Sequence, residues 1–202
     1  MIPGNPELLK CPFCGEEKEV LSLVSGNTFR GRQWSDLKSI YPMLPKVSPI
    51  QKCPSCGKYY FAKNAEKRMG EGFSLEEGNL AYPQLKEAAV QFGQKLPKED
   101  REILNTLLLW TYNDLYNREG MEISEAQSED RVYIDAVLDE LLEKTDVDDI
   151  IRVEFLRERG RFADAIELLD RCHPSEGFLA AIVEKMKSYA NDGKRIAFEI
   201  NV

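Results

Sequence analysis

Four of the five cysteines in this 202-residue chain fall into two matching frames, Cys11-Pro12-Phe13-Cys14-Gly15 and Cys53-Pro54-Ser55-Cys56-Gly57. Two residues between thiols let a tight turn aim both sulfurs at one ion about 2.3 Å away. The proline presets the backbone of that turn, and the glycine permits a positive φ as the chain leaves it. Two such knuckles supply the four soft ligands of a tetrahedral site. Cys11, Cys14, Cys53 and Cys56 are therefore expected to bind one metal ion, and all-thiolate sites accept zinc or iron.

The pair of frames also resembles that of rubredoxins, iron proteins that carry two paired-cysteine knuckles with Cys-Pro-x-Cys-Gly at the second. Here the first knuckle is followed by Glu16-Glu17-Lys18 rather than by the aromatic residues that screen a rubredoxin iron. Zinc is the expected ion and a redox iron its rival. Four protein ligands leave no coordination position for water or substrate, so the expected role is structural. The 38 residues between the knuckles, Gly15 to Lys52, do not forbid the site, because loop-closure entropy grows only logarithmically with length. A β-rich head of about sixty residues buries little apolar area, and a structural metal supplies the missing stability.

Stepping outward, the composition is that of a soluble globular protein, 43% hydrophobic and 31% charged. No apolar run reaches the roughly 20 residues that span a bilayer. The first residues, Met1-Ile-Pro-Gly-Asn-Pro, show neither the basic nor the apolar region of a signal peptide. Unpaired thiols and a cytoplasmic location are the resulting expectations. The net charge of −8 is divided unevenly. Residues 1–69 hold eleven Lys and Arg against six Asp and Glu, and the remainder holds sixteen against twenty-nine. An acidic body of that size opposes binding to a polyanion, which depends on neutralising phosphates.

The pattern along the chain predicts an α+β protein: a small zinc ribbon with a long inserted loop over 1–69, then an all-α helical-hairpin domain over 70–202. Lys18 to Val24 and Thr28 to Trp34, around Ser25-Gly26-Asn27, read as a β-hairpin. Ile50 to Lys52 and Lys58 to Ala62 read as a second strand pair. Ser35 to Ser48, punctuated by prolines, reads as an ordered loop, and the Gly-dotted stretch Lys63 to Asn79 as a linker. From Tyr82 the period becomes 3.6 and about six helices follow. The second, Lys98 to Asn117, is apolar around most of its circumference and is the expected central helix. Asp146 or Asp148 is positioned to cap the fourth, which Gly160 ends. Arg195 to Ile200 reads as a short final strand.

The run Phe155-Leu156-x-x-x-Gly160-Arg161-Phe162-x-x-Ala165-Ile166-x-x-Leu169 resembles the middle of a tetratricopeptide repeat over about twenty residues. The resemblance implies stacked helical hairpins and, by analogy, protein binding. The whole arrangement resembles uncharacterised bacterial proteins that join a Cys-Pro-x-Cys ribbon to repeat-like helices, and that resemblance implies no activity.

Other residues carry weaker signals. Phe29, Arg30, Arg32 and Trp34 mix aromatics with cations and could stack bases; the simpler expectation is that Phe29 and Trp34 plug the seam between head and body while the arginines stay wet. Tyr41 and Met43 sit in an apolar turn that suits either core or docking. These six are the candidate partner-binding residues. In Trp110-Thr111-Tyr112-Asn113-Asp114 the polar groups could bind a ligand or partner; the simpler expectation is that they form a buried hydrogen-bond network or face solvent at a helix end. Cys172 and His173 are adjacent and diverge by about 100° on a helix, so they are not a nucleophile and its base. No phosphate loop or catalytic constellation is visible, and the abundant acids read as solvated helix faces. The leading expectation is a non-enzymatic zinc protein that binds another protein, with no membrane or small-molecule partner. A nucleic-acid-associated ribbon and a rubredoxin-like electron carrier are the alternatives.

Overall fold

A computed structural model of the chain describes residues 1–120, 126–144, 148–172 and 177–200. The fold is α+β. Its strands are β1 (Ile2–Pro3), β2 (Glu7–Lys10), β3 (Glu17–Val20), β4 (Leu23–Ser25), β5 (Arg32–Trp34) and β6 (Ser39–Ile40). They continue with β7 (Ile50–Lys52), β8 (Tyr59–Phe61), β9 (Glu66–Met69) and the C-terminal β10 (Glu199–Ile200). The helices are α1 (Tyr82–Phe92), α2 (Lys98–Tyr116), α3 (Ser128–Leu142), α4 (Asp149–Arg159), α5 (Phe162–Leu169) and α6 (Phe178–Asn191). The chain forms two compact units, one of Met1–Gly31 with Ile40–Leu104 and one of Arg32–Ser39 with Asn105–Val202. These units are cut differently from a simple division after residue 69.

In the first unit every strand pairing is antiparallel, and the expected hairpin over Lys18 to Trp34 is absent. β3 pairs with β2 instead, Glu7 opposite Val20 and Lys10 opposite Glu17. β4 pairs with β1. The reason is burial: pairing with β2 puts Val20 into a cluster with Leu9 and Ala62. The expected linker is also a correction. β9 lies within it and pairs with the other edge of β2. Its four residues are all exposed, so no alternation betrays it. Charged cross-strand partners secure it, Lys67 to Glu7 at 3.0 Å and Arg68 to Glu17 at 2.7 Å. Residues 76–78 continue the stitching, with Glu76 O accepting from Leu21 N and Glu77 O from Ser48 N.

Helix α1 belongs to this unit because its polar face extends a strand. The Gln91 amide accepts from Tyr59 N at 2.9 Å and donates to Tyr59 O at 2.7 Å, much as a neighbouring strand would. Phe92 stacks against Phe61 with centroids 5.2 Å apart. Tyr82, Leu85 and Ala88 bury the opposite turns.

The second unit is built on α4, whose six consecutive residues Val153 to Glu158 are buried. α2 also buries much of its length, including Leu104, Leu108, Leu109, Tyr112 and Asn113. Asp148 caps α4 by accepting from Ile150 N; Asp146 lies outside the described residues. Gly160, in the left-handed region at φ 86°, ends α4 and lets α5 fold back. Val153, Leu156, Ala165, Leu169, Val183, Met186 and Phe198 form the core. Cys172 packs at its margin, while His173 lies outside the described residues.

Two extended pieces complete this unit. Residues 195–200 pair with α2's end through Glu119 N to Ala197 O at 2.8 Å, and β10 pairs with β5. Through that pairing Ser35 and Asp36 reach a network among α2, α4 and the tail. The Asp36 carboxylate accepts from Asn113 and from Arg118, each at 2.9 Å. Asn113 also donates to Glu158 at 2.9 Å. Glu154 accepts from Ser35 at 2.5 Å and from Arg157 at 2.5 and 3.0 Å. Trp110 Nε1 donates to Asp36 O at 2.8 Å. The network expected around Trp110 and Asn113 is present, and it draws in three acids that read as solvent-facing in sequence.

Asp36, Glu154 and Glu158 are buried in this network, and among the described residues only Arg118 and Arg157 are buried cations. Three carboxylates against two guanidiniums leave one negative charge uncompensated. That is costly without water. Burial first, then the fields of Glu154 and Asp36, hold the Glu158 carboxyl well above the usual carboxylate range. The folded state keeps a proton that the unfolded chain gives up. The associated stability is present below the ordinary carboxylate pKa of about 4.3 and is lost as pH rises towards the folded value. Urea unfolding followed by tryptophan emission tests this, since Trp34 and Trp110 both lie in this unit. The expected slope approaches about 1.4 kcal/mol per pH unit for one proton. Glu158→Gln should flatten that slope and unfold later than wild type at neutral pH.

Candidate metal centre

Each knuckle is closed by the same backbone bonds. Gly15 N donates to Cys11 O and Gly57 N to Cys53 O, each at 3.0 Å. Cys11 N reaches Glu16 O at 2.7 Å and Cys53 N reaches Lys58 O at 2.9 Å, so each knuckle is also the turn of a hairpin. Gly15 and Gly57 leave it at φ 79° and 71°. Space is not the issue there, because a Cβ would meet no atom within 4 Å. Conformation alone selects glycine.

The hairpins β2–β3 and β7–β8 bring the four sulfurs within 4.8 Å of one another. Cys11 and Cys56 Sγ are 3.8 Å apart, and Cys14 and Cys53 Sγ 3.5 Å. A regular tetrahedron with metal–sulfur bonds of about 2.3 Å has edges of about 3.8 Å. The donor set fits one ion with four thiolates. Cys11 and Cys53 are buried against Tyr60, and Cys14 and Cys56 face solvent.

Without a metal the thiols compete for charge. Burial raises Cys53, yet N–H groups of Cys56 and Ser55 and the thiols of Cys14 and Cys56 bring it down to about 7. The Glu16 N–H favours the Cys14 thiolate, but burial and the neighbouring sulfurs outweigh it and push Cys14 up to about 12. Burial, followed by the nearby sulfurs, likewise raises the Tyr60 hydroxyl to about 12.

The candidate partner residues separate. Trp34 is buried in the second unit, with the Arg118 guanidinium 4.5 Å and that of Arg32 4.7 Å from its ring centre. Arg32 is held by Glu199 at 2.7 and 2.9 Å. Trp34 offers no free surface, and Arg32, though exposed, already has a carboxylate partner. Phe29 is 70% exposed and plugs nothing. Arg30 beside it is exposed, Tyr41 is half-buried and Met43 is exposed. Sequence reasoning missed the buried acids of α4 because Glu154, Arg157 and Glu158 look like a solvated helix face. The usable signal was their spacing, which repeats the helical period beside Val153 and Leu156.

The chain matches no protein-family model, no curated protein and no solved structure.

Cys53→Ser should lose the metal and unfold the first unit, while the far-ultraviolet signal of α3 to α6 persists. Metal stoichiometry and circular dichroism check both parts. In the wild type, protons compete with the ion for thiolate, so metal affinity should fall as pH is lowered and fall more steeply below about 7, where Cys53 also takes a proton. Competition with a chromophoric chelator between pH 5 and 8 reads that slope.

Proposed function

We propose that this is a non-enzymatic cytoplasmic zinc protein whose metal is structural and whose helical body binds another protein. The observation that carries the protein-binding part is the stacked series α3 to α6, which leaves Val132, Phe178 and Leu179 exposed on its surface. Large exposed apolar side chains on a rigid helical array suit protein recognition. The α4–α5 hairpin around Gly160 agrees with the tetratricopeptide-like reading of that segment.

The structural role of the metal is supported by the closed ligand set and by the way each knuckle doubles as a hairpin turn. Zinc rather than iron is supported by the charged residues after the first knuckle. Free thiols throughout the described residues suit a reducing compartment.

Metal analysis and an absorption spectrum of the purified protein test the zinc assignment. Equimolar zinc and a colourless solution are expected, and a red ferric-thiolate spectrum would establish the electron-carrier alternative. Affinity capture with the intact chain should return a protein partner. A steeply salt-dependent gel shift instead would favour the nucleic-acid alternative.

A further inference from the structure

The loop between the knuckles folds two of its turns onto each other within the first unit. Asn27 N donates to Met43 O at 3.2 Å, and Leu44 N to Tyr41 O at 2.9 Å. Two glycines make the approach possible. A Cβ on Gly26 would lie 2.4 Å from Met43 O, and one on Gly31 2.4 Å from the Tyr41 ring. The Asn27 side chain accepts from Phe29 N and fixes the tip. At that tip Arg30 holds a left-handed conformation at φ 58°, unfavourable for a residue with a Cβ. Such strain persists only where the surroundings over-determine it. The lobe presents Phe29 at 70% and Met43 at 38% exposure.

Its charge is equally unusual for this chain. The sequence has no Asp or Glu from Val20 to Ser35 or from Leu37 to Ala65. Arg30 and Lys46 are exposed and make no ion pair among the described residues; the Arg30 guanidinium only lies 5.7 Å from the Phe29 ring centre. Exposed cations such as Lys10, Lys67 and Arg68 have carboxylate partners, whereas Arg30 and Lys46, like Lys58 beside Phe13, lie where no carboxylate is near in sequence. In a protein of net charge −8 this apolar lobe thus keeps two cations that no carboxylate among the described residues neutralises.

We infer that the lobe of residues 26–31 and 41–46 is a docking surface for an acidic, apolar protein segment, whose apolar side chains cover Phe29 and Met43 and whose carboxylates meet Arg30 and Lys46. An aromatic anchor beside an arginine is the composition of an interface hot spot. Two cations are too few to hold a polyanion against the charge of the rest of the chain, whereas Met43, Leu44 and the flanking prolines suit aliphatic side chains. The inference rests on the protein-binding reading above but adds a surface separate from the helical hairpins.

The test places a photo-crosslinking amino acid at Phe29, at Met43 or, as a control on the helical surface, at Val132. Each full-length variant is irradiated in the cells that make the protein, and the captured segment is identified by mass spectrometry. Phe29 and Met43 are expected to capture a protein segment rich in Asp, Glu and large apolar residues. Combined Arg30→Glu and Lys46→Glu substitutions, both at exposed sites, should lower the yield about tenfold. Capture at Val132 alone would overturn the docking surface and leave the protein-binding reading intact. Capture of protein at none of the three would overturn both. A basic segment, nucleic acid, or a yield indifferent to charge reversal would each overturn the inference.

Discussion

The first unit depends on the convergence of four sulfurs from two hairpins. β2 and β3 meet at one knuckle, and β7 and β8 at the other. No strand in the unit exceeds four residues, too short to be stable as isolated ladders. Bringing the knuckles within 4.8 Å fixes the two hairpins against each other and closes the loop between them. The entropy of that closure is offset by the ion in the zinc reading, since a preformed thiolate site does not exist in the unfolded chain. The rest of the unit then adds by edges: β9 joins β2 with ion pairs, and α1 joins β8 through the Gln91 amide.

The second unit solves a different problem. Its central helix buries polar and apolar residues on every side, so its stability depends on completing hydrogen bonds as well as on covering apolar area. Ser35 and Asp36, carried by the segment 32–39, supply groups that α2 and α4 lack. Asp36 serves Asn113, Arg118 and Trp110 at once, and Ser35 joins Glu154 to Phe198 N. Removing one partner would strand a buried charge, which costs more than the pair contributes. Burial and the neighbouring acids favour the neutral form of Glu158, in the direction that the two arginines leave open.

Legibility followed the range of the interactions. The strand pair around the second knuckle and the six helices could be read because turn chemistry and 3.6-residue periodicity act between near neighbours. The hairpin at 18–34 misled because Ser25-Gly26-Asn27 is a good turn sequence, yet burying Val20 beside Leu9 draws β3 elsewhere. β9 was hidden because all four of its residues face solvent and its partners are sixty residues away. Glu154 and Glu158 looked exposed because a carboxylate in a helix is usually solvated, and only the distant Asn113, Ser35 and arginines make its burial tolerable.

The amino-acid sequence alone determined the metal ligands, since two Cys-Pro-x-Cys-Gly frames have one economical use, and it determined the alternation of β-head and helical body. Tertiary structure decided what surrounds the ligands: which strands the knuckles join, that Trp34 and Arg32 belong to the second unit, and that Phe29 and Arg30 stand on the surface. The physical reason is that a knuckle is set by dihedral preferences and sulfur chemistry within five residues. The fate of an aromatic or a carboxylate depends on partners that only folding brings within reach.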